Sequence, residues 1–147
     1  MTPEDNKRNI SAYPHSVTIP TRWMDNDIYG HVNNVNYYSF FDTAVNGFLI
    51  AGGGLDIHGG PVIGFVVETK CQYFAPVSFP ESIQAGIAVS SIGTSSVRYE
   101  IGLFRAGETE PLAQGYFIHV YVDRQTRRPT SLSDTLRSLL ETIQIDD

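Results

Sequence analysis

What this chain lacks narrows its reading before any motif is considered. Its 147 residues hold a single cysteine, Cys71, so no disulfide can form within the chain. No run of about 20 apolar residues is present, which argues against a membrane-spanning helix. Positive charge is scarce: ten Lys and Arg stand against sixteen Asp and Glu, for a net charge of −6. Nucleic acid, whose phosphates demand a basic face, is thereby set aside as a main partner. Between Arg22 and Lys70 there is no Lys or Arg at all. An anionic ligand reaching that span must take its countercharges from later segments or from another subunit.

Other absences exclude chemistries. His58 and His119 lie far apart and show no metal-ligand spacing, so no metal site is expected. Ser95 and Ser96 lack a G-x-S-x-G context, which sets aside a nucleophile-elbow serine hydrolase. There is no internal repeat and no low-complexity segment. The first ten residues, MTPEDNKRNI, lack the apolar core of a signal peptide. With one thiol in the chain, a reduced, cytoplasmic setting is expected.

What is present suits a folded domain. The chain is 41% hydrophobic and 12% aromatic, and a compact chain of this size buries roughly 68–70% of its unfolded surface. Residues 1–12 read as a flexible arm and 13–147 as one domain. His15 to Met24 alternates at strand period, with Pro20 placing it at an edge or a bend. From about Asn34, the residues Tyr37, Phe41, Ala44 and Phe48 fall at helical spacing. The stripe is broad enough to need covering on more than one side. This helix should run about 18 residues, or roughly 27 Å. Asn33, Asn34 or Asn36 would cap it, and Gly52-Gly53-Gly54 would end it.

Four strands follow: Pro61 to Ala75, Ser82 to Ile92, Ser95 to Arg105 and Leu112 to Val122. Their hairpin-like spacing predicts an antiparallel sheet. The fourth is apolar on both faces near its end, which suggests an interior strand, and Cys71 reads as core. A short helix, Ser131 to Ile143, closes the chain, with Ser131 and Asp134 resembling a capping box. One broad helix and one antiparallel sheet give an α+β fold in which the sheet wraps the helix.

Chemistry concentrates where the helix begins. Asp25 and Asp27 flank one residue, and His31, Asn33, Asn34 and Asn36 follow a turn at Gly30. A carboxylate can act as base or nucleophile. A helix start offers unpaired amides for a developing oxyanion. The same residues also suit plainer roles: aspartates order turns by accepting backbone amides, His31 could be tied into the turn, and Asn33 and Asn36 could be caps. Tyr37 is the better of two adjacent tyrosines for lining a pocket.

The run R-W-M-D-N-D-I-Y-G-H-V-N-N-V-N-Y resembles the signature of hotdog-fold acyl-CoA thioesterases of the 4-hydroxybenzoyl-CoA thioesterase family, in the branch that reads D-x-D-x-x-G-H-V-N-N. The similarity extends over roughly Val17 to Pro129, through V-V-E-T-K-C-Q-Y-F-A-P and Y-V-D-R-Q-T-R-R-P. The resemblance implies hydrolysis of an acyl-CoA thioester. Asp27 would be the catalytic carboxylate, a backbone amide at about Asn34 the oxyanion donor, and His31 a candidate for polarising substrate or water. It implies a homo-oligomer, a dimer of dimers with active sites at the dimer interface, and no cofactor. Val45 stands where relatives often carry arginine. Tyr37 would line the acyl pocket. Lys70, Arg98, Arg124, Arg127 and Arg128 are the candidates for coenzyme A phosphates, the last two also being compatible with solvated surface charges. A non-catalytic acyl-CoA binder and an acyl-chain dehydratase are the alternatives on such a fold.

Overall fold

A computed structural model describes residues 6–56 and 59–146. His58 and the first five residues of the expected arm lie outside them. Five strands and two α-helices appear in the order β1 (His15–Pro20), α1 (Asn36–Ala51), β2 (Val62–Tyr73), β3 (Ser82–Ile92), β4 (Ser96–Arg105), β5 (Ala113–Asp123) and α2 (Asp134–Glu141). All pair antiparallel in one sheet of order β1-β3-β4-β5-β2. β1 and β2 are therefore the edges, and β5 is interior as its composition suggested.

The alternation read from the sequence decides which face meets the helix. Ile83, Ala85, Ile87 and Val89 of β3 and Val97, Tyr99, Ile101 and Leu103 of β4 are all buried on one face. They pack in one cluster with Tyr37, Phe40, Phe41, Ala44, Val45 and Leu49 of α1. Leu132, Leu136, Leu140 and Ile143 join the same cluster from the C-terminal segment, so α2 extends the core. On the opposite face Tyr13 packs with Ala88 and Phe104. Gly86 and Gly102 make that packing possible: a Cβ on either would stand 2.7 Å from atoms of the Tyr13 side chain. Residues 6–12, expected to be a loose arm, are tied down there. The Arg8 amide donates to Gln114 Oε1 at 2.9 Å, and Gln114 Nε2 donates to the Asn6 carbonyl at 2.6 Å.

Several boundaries differ from expectation, each for a local reason. β1 stops at Pro20 instead of reaching Met24, and Trp23–Asp25 form a 3-10 turn. α1 has 16 residues, with Val35 in helical conformation at its N-cap and no side-chain cap. Asn33 Oδ1 accepts the Val35 amide instead, at 3.1 Å, so the asparagine works two residues before the N-cap. In the last helix the cap is Ser133, not Ser131, accepting the Leu136 amide at 3.1 Å. β2 is interrupted by a register shift between Val66 and Glu68. Cys71 is half-buried against the main core, and burial pushes its thiol up to about 11. Among the described residues no helix is long and apolar enough to cross a membrane.

Candidate active site

The two aspartates part company in the structure. Asp25 is 1% exposed. Its Oδ2 accepts the Arg22 amide at 2.7 Å, and its Oδ1 accepts Arg22 Nη2 at 2.8 Å and Nε at 3.2 Å. Its carbonyl takes the Asn33 amide at 2.8 Å and Asn36 Nδ2 at 3.1 Å. The carboxylate of Asp25 thus closes the turn on Arg22, and its carbonyl ties that turn to the start of α1. Arg22 is correspondingly held above its ordinary range by the hydrogen bond and charge of Asp25.

Asp27 sits at the base of a tight turn. Its amide donates to the His31 carbonyl at 2.9 Å and its carbonyl accepts the Gly30 amide at 3.0 Å. Gly30 has φ of +83°, a conformation that glycine adopts without steric cost. Asp27 Oδ1 accepts the Tyr29 amide at 2.9 Å. Among the described residues, the other carboxylate oxygen accepts no hydrogen bond and is free for chemistry. The turn is clamped from outside: Ser78 Oγ donates to the Gly30 carbonyl at 2.8 Å, and the Phe79 amide to Asn26 Oδ1 at 3.1 Å.

Several amides around the helix start have acceptors. Those of Asn33, Asn36 and Tyr37 donate to backbone carbonyls, and that of Val35 to Asn33 Oδ1. The amide of Asn34 has no acceptor among the described residues. It is the position that the family resemblance assigns to the oxyanion donor. The Asn34 carbonyl is held by Tyr73, whose hydroxyl donates to it at 3.1 Å. Tyr73 in turn stands edge-on to the buried Tyr37 ring, 4.9 Å between centroids. Burial pushes the Tyr73 phenol up to about 12 and raises that of Tyr37, so both are protonated donors at neutral pH.

Asp27, His31, Asn34 and Tyr37 line one cleft of about 410 Å³ with Val32 and the segment Tyr73 to Pro76. The structure therefore brings together four of the residues singled out from the sequence. The sequence reading missed Tyr73, although the alternation that turns Cys71 toward the helix also turns Tyr73 that way.

The basic candidates lie elsewhere. Lys70 and Arg98 line a cleft of about 210 Å³ on the face away from α1, beside Arg8, Glu100 and Tyr116. Arg98 Nε is 2.7 Å from Glu100 Oε2, and its guanidinium lies 3.9 Å over the Tyr116 ring. Arg127 and Arg128 occupy the turn after β5; Arg127 has φ of +62° and its guanidinium lies 5.8 Å over Phe65. Arg124 Nε donates to the Gly60 carbonyl at 2.6 Å. None of these cations lines the Asp27 cleft. Val45 is fully buried in the core, so it faces no ligand in this chain. No cluster of metal-ligating side chains occurs among the described residues.

No curated protein matches the chain. Among solved structures, the PA5185 protein from Pseudomonas aeruginosa is 54% identical, over 94% of this chain and 96% of that one, with a TM-score of 0.92. The 1,4-dihydroxy-2-naphthoyl-CoA thioesterase from Synechocystis is similar in fold at 15% identity, over 85% and 93% of the two chains, with a TM-score of 0.78. The protein SAV2348 from Staphylococcus aureus, solved in complex with CoA, matches at 15% identity over 96% and 89%, with a TM-score of 0.80. The α+β architecture is thus the hotdog fold. The model of the thioesterase-like superfamily matches residues 21–140, spanning the aspartate turn, both flanks of the cleft and all but the first strand, and the chain belongs to that superfamily.

Proposed function

We propose that the protein hydrolyses an acyl-CoA thioester to the free acid and coenzyme A. One observation carries the reading: Asp27, which keeps a carboxylate oxygen without a hydrogen bond, and Asn34, whose amide has no acceptor, line the same cleft. The amide would stabilise negative charge as it develops on the thioester carbonyl oxygen. Asp27 would work in one of two ways. As nucleophile it forms a carbon–oxygen bond, the carbon–sulfur bond breaks, the thiolate leaves, and water then hydrolyses the anhydride. As base it takes a proton from water, the hydroxide adds to the carbon, and the proton passes to the departing sulfur. His31 stands beside both groups to polarise substrate or water.

The superfamily membership and the thioesterase and CoA-bound structures among its relatives support this substrate class. The nucleotide phosphates of such a substrate must find cations that this chain does not bring to the cleft. Two copies sharing the site would supply them. β2 is an edge strand with one side unpaired, and Phe65, Val66 and Val67 are exposed along it. Such an edge suits pairing with a second copy.

The test is release of thiol from an acyl-CoA panel. Asp27→Asn, which keeps the Tyr29 contact and removes the charge, should lower kcat at least about 100-fold with an unchanged circular dichroism spectrum. Turnover unaltered by that substitution would refute the assignment of Asp27. Saturable acyl-CoA binding without thiol release by the wild type would instead indicate a binding protein.

A further inference from the structure

A second cavity, of about 250 Å³, lies farther along α1. Asp42, Asn46 and Leu49 line it from the helix, Ile63, Gly64 and Val66 from β2, and His119 and Tyr121 from β5. It exceeds the ~150 Å³ that suffices for a benzene ring. Its walls are mainly apolar, but its floor carries an unexplained polar group. His119 is 4% exposed, and its Nε2 is buried without a hydrogen-bond partner among the described residues. The ring is fixed by aromatic neighbours: Phe117 stacks at 5.6 Å and Tyr99 meets it edge-on at 5.0 Å. The neighbouring Tyr121 hydroxyl bonds that of Tyr99 at 2.7 Å. At Gly64 a Cβ would stand 3.0 Å from Tyr121 Cε1 and 3.5 Å from His119 Nδ1, so a side chain there would crowd this part of the cavity. Burial lowers the imidazole to about 4, so it is neutral, with one nitrogen a donor and the other an acceptor.

β2 links this cavity to the cleft. Tyr73, at one end of the strand, lines the cleft, and Ile63, near the other, lines the cavity. If two copies pair their β2 edges antiparallel about Glu68, Tyr73 of one lies opposite Ile63 of the other. The cavity of one copy then meets the cleft of its mate. We propose that this cavity receives the far end of the acyl group, and that His119 selects acyl groups ending in a neutral hydroxyl over those ending in a methyl group or a carboxylate. A hydroxyl both donates and accepts, so it satisfies either tautomer of the ring. Asp42 at the cavity wall repels a carboxylate. The inference rests on the thioesterase reading of the Asp27 cleft and on its sharing by two copies.

The experiment compares acyl-CoA thioesters matched in heavy-atom count, such as 6-hydroxyhexanoyl-CoA against heptanoyl-CoA, with pairs extended to twelve chain atoms and the corresponding ω-carboxyl thioesters. In the wild type, kcat/KM should favour the hydroxyl by about tenfold or more, and in His119→Phe that ratio should collapse toward one. A wild type without the preference, or a variant that keeps it, overturns the proposal. If no thioester is turned over, the hydrolase reading fails. The cavity is then judged by binding of the matched non-hydrolysable thioether pair, where equal affinities overturn it. Should the variant not fold, nitrogen-15 spectra of the wild-type imidazole decide. A His119 shift with the hydroxylated thioether but not the methyl one supports the proposal, and none with either overturns it.

Discussion

Asp25 and Asp27 are identical in chemistry and two positions apart, and their surroundings give them opposite roles. Asp25 spends both carboxylate oxygens on Arg22 and is buried, while Asp27 keeps one oxygen open to the cleft. Asp25→Ala should therefore act through stability, lowering the urea midpoint by removing the anchor of the turn, whereas Asp27→Asn acts through turnover. Tyr73 belongs to the same scale. Tyr73→Phe removes one hydrogen bond to the Asn34 carbonyl, and a bond of that kind contributes about 1 kcal/mol. A fall in kcat of roughly 2- to 10-fold with little change in KM is expected from steady-state kinetics. His119 sets a pH dependence. Its folded value, about 4, lies below the ordinary 6.5, so between these values the unfolded chain binds the extra proton. Stability should be full above pH 6.5 and decline as pH falls toward 4, by on the order of 3 kcal/mol. His119→Phe should flatten that slope in urea titrations performed across the window.

At the level of elements, the two helices begin differently. α1 starts without a side-chain cap, and the Asn34 amide, one residue before the N-cap, has no acceptor among the described residues. α2 begins on Ser133, which accepts the Leu136 amide, and it serves packing alone. Ser133→Ala should cost about 1 kcal/mol in thermal or urea unfolding and leave turnover unchanged. The strands were legible because alternation is a property of the backbone itself. Ile83 to Val89 and Val97 to Leu103 could face the helix in only one register. Element ends were less legible, because they depend on which of several adjacent polar residues finds a partner. Ser131 and Ser133 are equally good caps in sequence, and the packing of Leu132, Leu136 and Leu140 against the core selects the second.

At the scale of the whole molecule, the exposed β2 edge and the cation-free cleft point the same way. Val67→Lys places a charge at the exposed middle of β2, where Val67 is 60% accessible. Sedimentation should show a lower oligomeric mass, accompanied by loss of thiol release if the site is shared. By itself the sequence determined the α+β class, the strand periodicities, and the gathering of Asp27, His31, Asn34 and Tyr37 at one helix start. Those four are close in the chain, so local geometry is enough to bring them together. Only the tertiary structure decided that Tyr73, 39 residues beyond Asn34, ties the Asn34 carbonyl, that Lys70 and Arg98 turn to the far face of the sheet, and that His119 lies buried without a partner. Each of these depends on strand order and on which face of the sheet a residue reaches, and long-range pairing, rather than local propensity, fixes both.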